Sequence, residues 1–259
     1  MKALSLAREF VPDCGVCDFA SLRERLITCR AISRVPKNAK SVLVCVFPYR
    51  FSSTEPRELS YYACVPDYHT AAGAVLEQLA EKLQEAYPHH AFVPFIDNSP
   101  IPEVYAAAKA GLGMIGDNRL LIHPTFGSYV FIGEIVTDLE IPTTNIPPAY
   151  CEHCGACAAA CPGGCLPGDT RDTCVSAVSQ KKGELTTTEI ALLRKGGLVW
   201  GCDRCQEVCP HNQNALIAPH PYFTDYTPTL LPPDHPLFPT RAYAWRGKSV
   251  PYRNQQLLK

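Results

Sequence analysis

Cys151, Cys154, Cys157 and Cys161, with Pro162 closing the run, space four thiols as Cys-x2-Cys-x2-Cys-x3-Cys-Pro. No other feature restricts the fold of this chain so tightly. In a bacterial-ferredoxin run of that spacing, three thiolates hold one [4Fe-4S] cube and the fourth reaches across to another, so a second cube must exist. Cys202, Cys205 and Cys209, followed by Pro210, supply further ligands in a shorter run. Each cube takes four thiolates, and the two runs together leave one place open. That place falls most economically to Cys174, between the runs, with Cys165 as its rival. Cross-over ligation then gives Cys151, Cys154, Cys157 and Cys209 to one cube, and Cys161, Cys174, Cys202 and Cys205 to the other. A single tetrahedral zinc could use the pairs Cys151/Cys154 and Cys202/Cys205. It would leave Cys157, both Cys-Pro endings and the surplus thiols without a role.

The remaining composition excludes more than it names. The chain has 259 residues, 46% hydrophobic and 19% charged, with a formal net charge of -1. That is enough apolar material for a core without disulfide staples, and no acidic or basic excess points to a partner. The opening MKALSLAREFV is interrupted by Arg8 and Glu9 before an apolar stretch of signal-peptide length, and the longest apolar run, Val42 to Phe47, is too short to cross a bilayer. A cytoplasmic protein without membrane contact is expected. In that reducing compartment, 14 cysteines point to metal binding before disulfides. Cys14, Cys17, Cys29, Cys45 and Cys64 read as packing residues, and His153 and His211 as polar filler within the cysteine runs.

Ahead of the cysteines the pattern alternates. Ser41 to Phe47 and Ala91 to Ile96 read as strands, the second weakened by Pro94, and Tyr129 to Thr137 as a third. Val75, Leu76, Leu79, Leu83 and Tyr87 recur at helical spacing, and Pro102 to Ala110 reads as a further helix stopped by Gly111. The chain is therefore expected to be α+β, with an α/β layer domain over 1–143. Ile141 to Tyr150, with three prolines, reads as a linker. Thr186 and Glu189 have capping-box spacing before a helix at Thr187 to Lys195. Eight prolines between Pro210 and Pro239 predict an extended surface wrap. The last residues carry Arg241, Arg246, Lys248, Arg253 and Lys259 with Tyr243, Trp245 and Tyr252, a basic tail.

Asp97 follows the apolar run FVPFI and precedes Asn98, Ser99 and Pro100, where a strand hands over to a helix. That is a common place for an active-site group, and equally a place for a helix N-cap. The small residues Gly111, Gly113 and Gly116, the Gly127 turn, and Tyr62 to His69 belong to the same region. Gly spacing alone is too weak to claim a nucleotide.

The stretch DNSPIPEVYAAAKAGLGMIGDNRLLIHPTFGSYVFIGEIVTDL, followed by CEHCGACAAACP and GCDRCQEVCPHN, resembles the epoxyqueuosine reductase family and, more distantly, the corrinoid reductive dehalogenases. The resemblance implies a cobalamin- and double-[4Fe-4S]-dependent reductase that reduces the epoxide of epoxyqueuosine in tRNA to queuosine. Cobalamin and substrate would bind at 1–143, the clusters in a ferredoxin-like domain at 144–215, and 216–259 would be the proline-rich segment and tail. Asp97 matches the family's general acid, and Cys174 its isolated cysteine ligand. By position, Asp97, Leu121, Ile132, Ser176 and Asp203 would contact cobalamin, with Tyr62, Asp67 and His69 as pocket or substrate contacts. A proton donor at Asp97 implies a poorly hydrated pocket around it. The implied partners are the tRNA anticodon loop and an external donor such as a flavodoxin or ferredoxin.

The sequence also departs from the family. Asp117 stands where a lysine is usual, and Val65 and Pro66 where glycine is. The chain reads as a short form that stops about where the family's tRNA-holding helical repeats would begin. These departures keep two alternatives in view: a corrinoid-dependent reductase of another small substrate, and a [4Fe-4S] electron-transfer protein without cobalamin.

Overall fold

The computed structural model describes residues 2–143, 146–168 and 170–259. Thr144 and Asn145, in the linker and at the start of the expected second domain, lie outside the described residues. The chain packs as two compact units. The first comprises the segment up to Pro48, Tyr68–Pro124 and Val130–Cys151; the second comprises Tyr49–Asp67, Thr125–Tyr129 and Glu152–Lys259. The two units interleave along the chain, the last change falling at 151/152, and 216–259 lies within the second unit.

The first unit opens with α1 (Lys2–Phe10), β1 (Cys14–Asp18) and β2 (Ser41–Pro48). After α2 (Tyr61–Cys64), a single turn of the second unit, it continues with α3 (Tyr68–Ala86), β3 (Phe92–Ile96) and α4 (Glu103–Lys109). Short strands β4 (Met114–Ile115) and β5 (Leu121–Ile122), then β6 (Val130–Thr137) and β7 (Ala149–Tyr150), complete it. The main sheet runs β1-β2-β6-β3 and is antiparallel throughout. Its central strands, β2 and β6, are nearly wholly buried, which is why they read as continuous apolar runs rather than as an alternation. β3 lies at the edge, where Pro94 costs no central ladder bond.

Both sheet faces are covered. Helix α3 buries Val75, Leu76, Leu79 and Leu83. It approaches β6 so closely that a Cβ at Gly133 would come within 2.5 Å of Leu76. On the other face Ala106 and Ala107 of α4 join Val44, Phe95, Ile101, Ile132 and Val136 in one buried cluster.

In the second unit α5 (Ala156–Ala160), α6 (Val175–Ser179), α7 (Thr187–Gly196), α8 (Arg204–Glu207) and α9 (Ser249–Leu258) are joined by irregular chain. The capping box forms as its spacing requires, Thr186 accepting from the Glu189 N–H and Glu189 from the Thr186 N–H. Two expectations need correction. The proline-rich stretch forms no α-helix or strand, yet it is not a surface wrap throughout, because Phe223, Leu230, Leu231 and Phe238 are buried. Nor do the last residues form a free basic tail. Arg241 is 1% exposed and bonded to Asp225 and Thr227, Tyr243 is fully buried, and Ser249 onward is helical. Aromatic and aliphatic side chains between the prolines supply the burial that a proline count alone does not reveal.

Candidate functional site

The first unit brings Asp97 and His69 together. β3 ends at Ile96, and Asp97 turns the chain in the left-handed region at φ 56. Since α4 starts only at Glu103, with Pro102 at its cap position, Asp97 is not the N-cap that its residue type would suit. His69, in the first turn of α3, places Nε2 3.1 Å from Asp97 Oδ2. The neighbouring Tyr68 ring stacks on His69 and on Phe131, with centroids 4.2 and 4.4 Å away, which fixes the approach of the imidazole. The expected dry surroundings of Asp97 are absent: its side chain is 58% exposed.

The dry carboxyls are its neighbours. Burial, reinforced by the charge of Asp97, pushes the Glu103 carboxyl up to about 8, against the partial help of His69 and the Asp97 backbone N–H. Glu134, on β6, is fully buried; burial first, and then Glu103, hold its carboxyl well above the usual range, and the Ser99 hydroxyl eases its charge only in part. Neither oxygen of Glu134, nor Oε1 of Glu103, has a well-formed hydrogen bond among the described residues. Sequence reasoning missed both. Glu103 looks like an ordinary acid in a first helical turn. Glu134 did leave a signal, since Ile132, Glu134 and Val136 share one strand face and the charge interrupts an otherwise apolar row.

Leu121 and Ile132, expected beside cobalamin, are members of the same buried cluster, 2% and 9% exposed. In the second unit Asp203 is 1% exposed and already engaged. Arg57 Nη1 lies 2.6 Å from its Oδ2, and the Tyr61 N–H donates to the same oxygen at 2.9 Å. Burial raises the Asp203 carboxyl to about 6 despite Arg57. The guanidinium also donates to the Leu59 carbonyl and to Glu207, and lies 3.7 Å from the Tyr61 ring centroid. Replacing Arg57 would leave a buried carboxylate without its cation. Arg57→Ala should therefore lower unfolding stability by about 3 to 5 kcal/mol, read as a reduced urea midpoint at pH 7. The Gln180 amide donates to the Tyr62 hydroxyl at 3.4 Å and to the Ser176 carbonyl at 3.2 Å, so Tyr62 and Ser176 share a partner, while Asp67 donates its backbone N–H to the Thr240 carbonyl.

All fourteen cysteines are free thiols. Cys161 and Cys165 Sγ lie 3.3 Å apart, and Cys165 also interacts with Cys174. Burial pushes the Cys202 thiol up to about 11, helped by Asp203, Cys174 and Cys161; Cys205 rises to about 12 beside Cys202, Cys174, Asp203 and Cys157. Helices α5 and α8, which carry Cys157 and Cys205, pack together. Crowded, partly buried thiols that would repel one another once ionised fit a multi-iron cluster, whose positive charge lets them ionise. In the first unit the Asp117 N–H donates to Cys151 Sγ at 3.4 Å.

Comparisons with known proteins match two stretches of the chain separately. Residues 150–212 match the family described as 4Fe-4S double cluster binding domain, and residues 30–98, which include His69 and Asp97, match the one described as epoxyqueuosine reductase QueG. The epoxyqueuosine reductase of Gloeobacter violaceus is 34% identical over 194 residues, 72% of this chain and 60% of that protein. Residues 30–98 thus carry a domain of the epoxyqueuosine reductase family. The Pseudomonas aeruginosa epoxyqueuosine reductase is 37% identical over 171 residues, 63% of this chain and 46% of its own length. The chain thus spans about half the length of the curated relatives it matches. A crystal structure of an epoxyqueuosine reductase with an epoxyqueuosine-modified tRNA-Tyr stem loop superposes with a TM-score of 0.84 at 23% identity, covering 99% of this chain and 80% of that one. The α+β fold of this family is therefore shared, as the sequence resemblance implies.

Proposed function

We propose that this chain reduces the epoxide of epoxyqueuosine in tRNA to queuosine. The observation that carries this reading is the order of parts. A QueG-type domain holding Asp97 at a strand exit is followed in the same chain by a double-cluster domain. The solved relative bound to a modified tRNA stem loop supports tRNA as the substrate.

Opening the epoxide to an alkene and releasing its oxygen as water takes two electrons and two protons. Within this reading the two [4Fe-4S] clusters, held by the cysteine sets that the spacing defines, supply one-electron transfer from an external donor of the flavodoxin or ferredoxin class. Cys161, Cys174, Cys202 and Cys205 would hold the second of them. Cobalamin, the redox group that the family resemblance implies, would supply a cobalt centre at the substrate. Asp203 has its carboxylate committed to Arg57 and Tyr61, and Leu121 and Ile132 are packed in the core, so these three side chains are already engaged. Asp97 is the proton donor at the leaving oxygen, and His69, 3.1 Å away, orients its carboxyl. The chain is proposed to act in the cytoplasm; no helix among the described residues is long and apolar enough to cross a membrane.

One observation favours a second reading. Asp117, in place of a cation, opposes a phosphate-bearing substrate and would suit reduction of another small molecule. Nucleoside analysis of tRNA from a strain lacking this gene separates the two. Epoxyqueuosine should accumulate and queuosine should disappear. Unaltered levels in a strain with no second copy of the enzyme would refute the tRNA reading.

A further inference from the structure

We propose that Asp117 sets the reduction potential of the cube that Cys151 ligates, its carboxylate making that cube harder to reduce and so fixing how strong an electron donor the chain requires. This role rests on the double-cluster reading of the cysteine runs and is independent of the substrate. Asp117 and Cys151 both belong to the first unit, although 34 residues separate them along the chain. The parallel pairing of β4 with β7, Met114 beside Ala149 and Ile115 beside Tyr150, runs their segments side by side. One residue on, the Cys151 N–H donates to the Ile115 carbonyl at 3.0 Å, so the strand just ahead of Asp117 holds the cysteine backbone in place.

The loop that presents Asp117 is closed by its own hydrogen bonds. The Gly116 N–H donates to the Leu120 carbonyl at 3.0 Å, the Arg119 N–H returns to the Gly116 carbonyl at 2.8 Å, and the Leu120 N–H donates to Asn118 Oδ1 at 3.2 Å. Arg119 sits in the left-handed region at φ 65, and a Cβ at Gly116 would collide with Asn118 Oδ1. From this loop the Asp117 N–H donates to Cys151 Sγ at 3.4 Å, and a carboxylate oxygen of Asp117 lies within 4.8 Å of the same sulfur. The two contacts act in opposite directions. Hydrogen bonds to ligand sulfur and local charge both set a cluster's potential. An N–H aimed at a thiolate favours the reduced, more negative cube, whereas a carboxylate beside it opposes the incoming electron. Only the second is altered by a side-chain substitution, because the N–H belongs to the backbone. Reduction itself takes one electron from the external donor, of flavodoxin or ferredoxin class, which is oxidised by one electron as the cube gains it; no bond forms or breaks.

Anaerobic redox titration of the reconstituted full-length chain, followed by electron paramagnetic resonance of the reduced clusters, tests this without any substrate. Asp117→Asn should keep about eight irons and eight sulfides and raise one midpoint while the other stays where it is. At the ambient potential that half-reduces the parent cube, the ratio of reduced to oxidised form should rise about threefold in Asp117→Asn, equivalent to about 30 mV for one electron. Asp117→Lys, which reverses the charge, should move the same midpoint further, and Asp117→Glu, which keeps it, should stay near the parent. A Cys174→Ser background, where only the Cys151 cube should be retained, assigns the signal: the shift should persist there. Unmoved midpoints in both Asp117→Asn and Asp117→Lys, a midpoint that falls, or a shift confined to the cube lost in Cys174→Ser would overturn the proposal. Loss of a cube in Asp117→Asn would overturn it too, by making Asp117 part of the scaffold. If Asp117→Lys does not fold, Asp117→Asn and Asp117→Glu still decide it. A chain that shows these shifts yet leaves epoxyqueuosine unreduced would refute the function and not this role, whereas a chain that takes up no iron would overturn both.

Discussion

Cys174→Ser should leave the reconstituted chain with about four irons and four sulfides in place of about eight of each. The spacing of the two runs leaves one ligand place open, and the tertiary structure places Cys165 beside both Cys161 and Cys174. Cys174 is also among the groups that act on Cys202 and Cys205, whereas Cys165 is not among the principal ones. Cys174 therefore acts on two prospective ligands of one cube, Cys202 and Cys205. The matched control is Cys165→Ser, which should retain both clusters because Cys165 is a neighbour of the site and not a ligand. Iron and acid-labile sulfide, read beside the visible absorption of each preparation, distinguish the two. Full iron in Cys174→Ser, or loss of a cluster in Cys165→Ser, would exchange their roles.

Asp97→Asn should retain both clusters and the urea midpoint of the parent while turnover falls by about 10²- to 10⁴-fold, the range for loss of a general acid. The expectation of an unchanged fold follows from the position of the side chain. Asp97 is 58% exposed, caps no helix and has a histidine as its partner, so an amide of the same shape forfeits little packing. The expectation of lost turnover follows from chemistry, since an amide cannot supply a proton to a leaving oxygen. Steady-state kinetics on an epoxyqueuosine-bearing stem loop would give the ratio, and a variant within twofold of the parent would remove Asp97 from the reaction.

Much of the site can be read directly from the chain because its determinants are local. The cysteine runs place their thiols a few residues apart, and ligand spacing is a property of consecutive residues. Asp97 is recognisable for a similar reason: an apolar strand, an acid and a proline-led helix follow one another along the sequence. The capping box at Thr186 and Glu189 and the helix at Val75 to Leu83 belong to the same class. Longer-range partnerships are not visible in this way. Arg57 and Asp203 are an ion pair 2.6 Å apart although 146 residues separate them, and nothing in the local pattern of either names the other. Arg241 reads as part of a basic tail until Asp225 and Thr227 are found beside it.

The sequence by itself determined the double-cluster cysteine pattern, the strands and helices ahead of it and the acid at the strand exit, because each is written in the spacing or periodicity of neighbouring residues. Only the tertiary structure decided which carboxyls are kept from water. Glu134 is sealed from water where α4 covers the β2-β6-β3 face, Glu103 is half-buried at the start of α4, and Asp97 stays open to solvent. Desolvation depends on everything that surrounds a group, and the surroundings of these acids come from segments far apart in the chain.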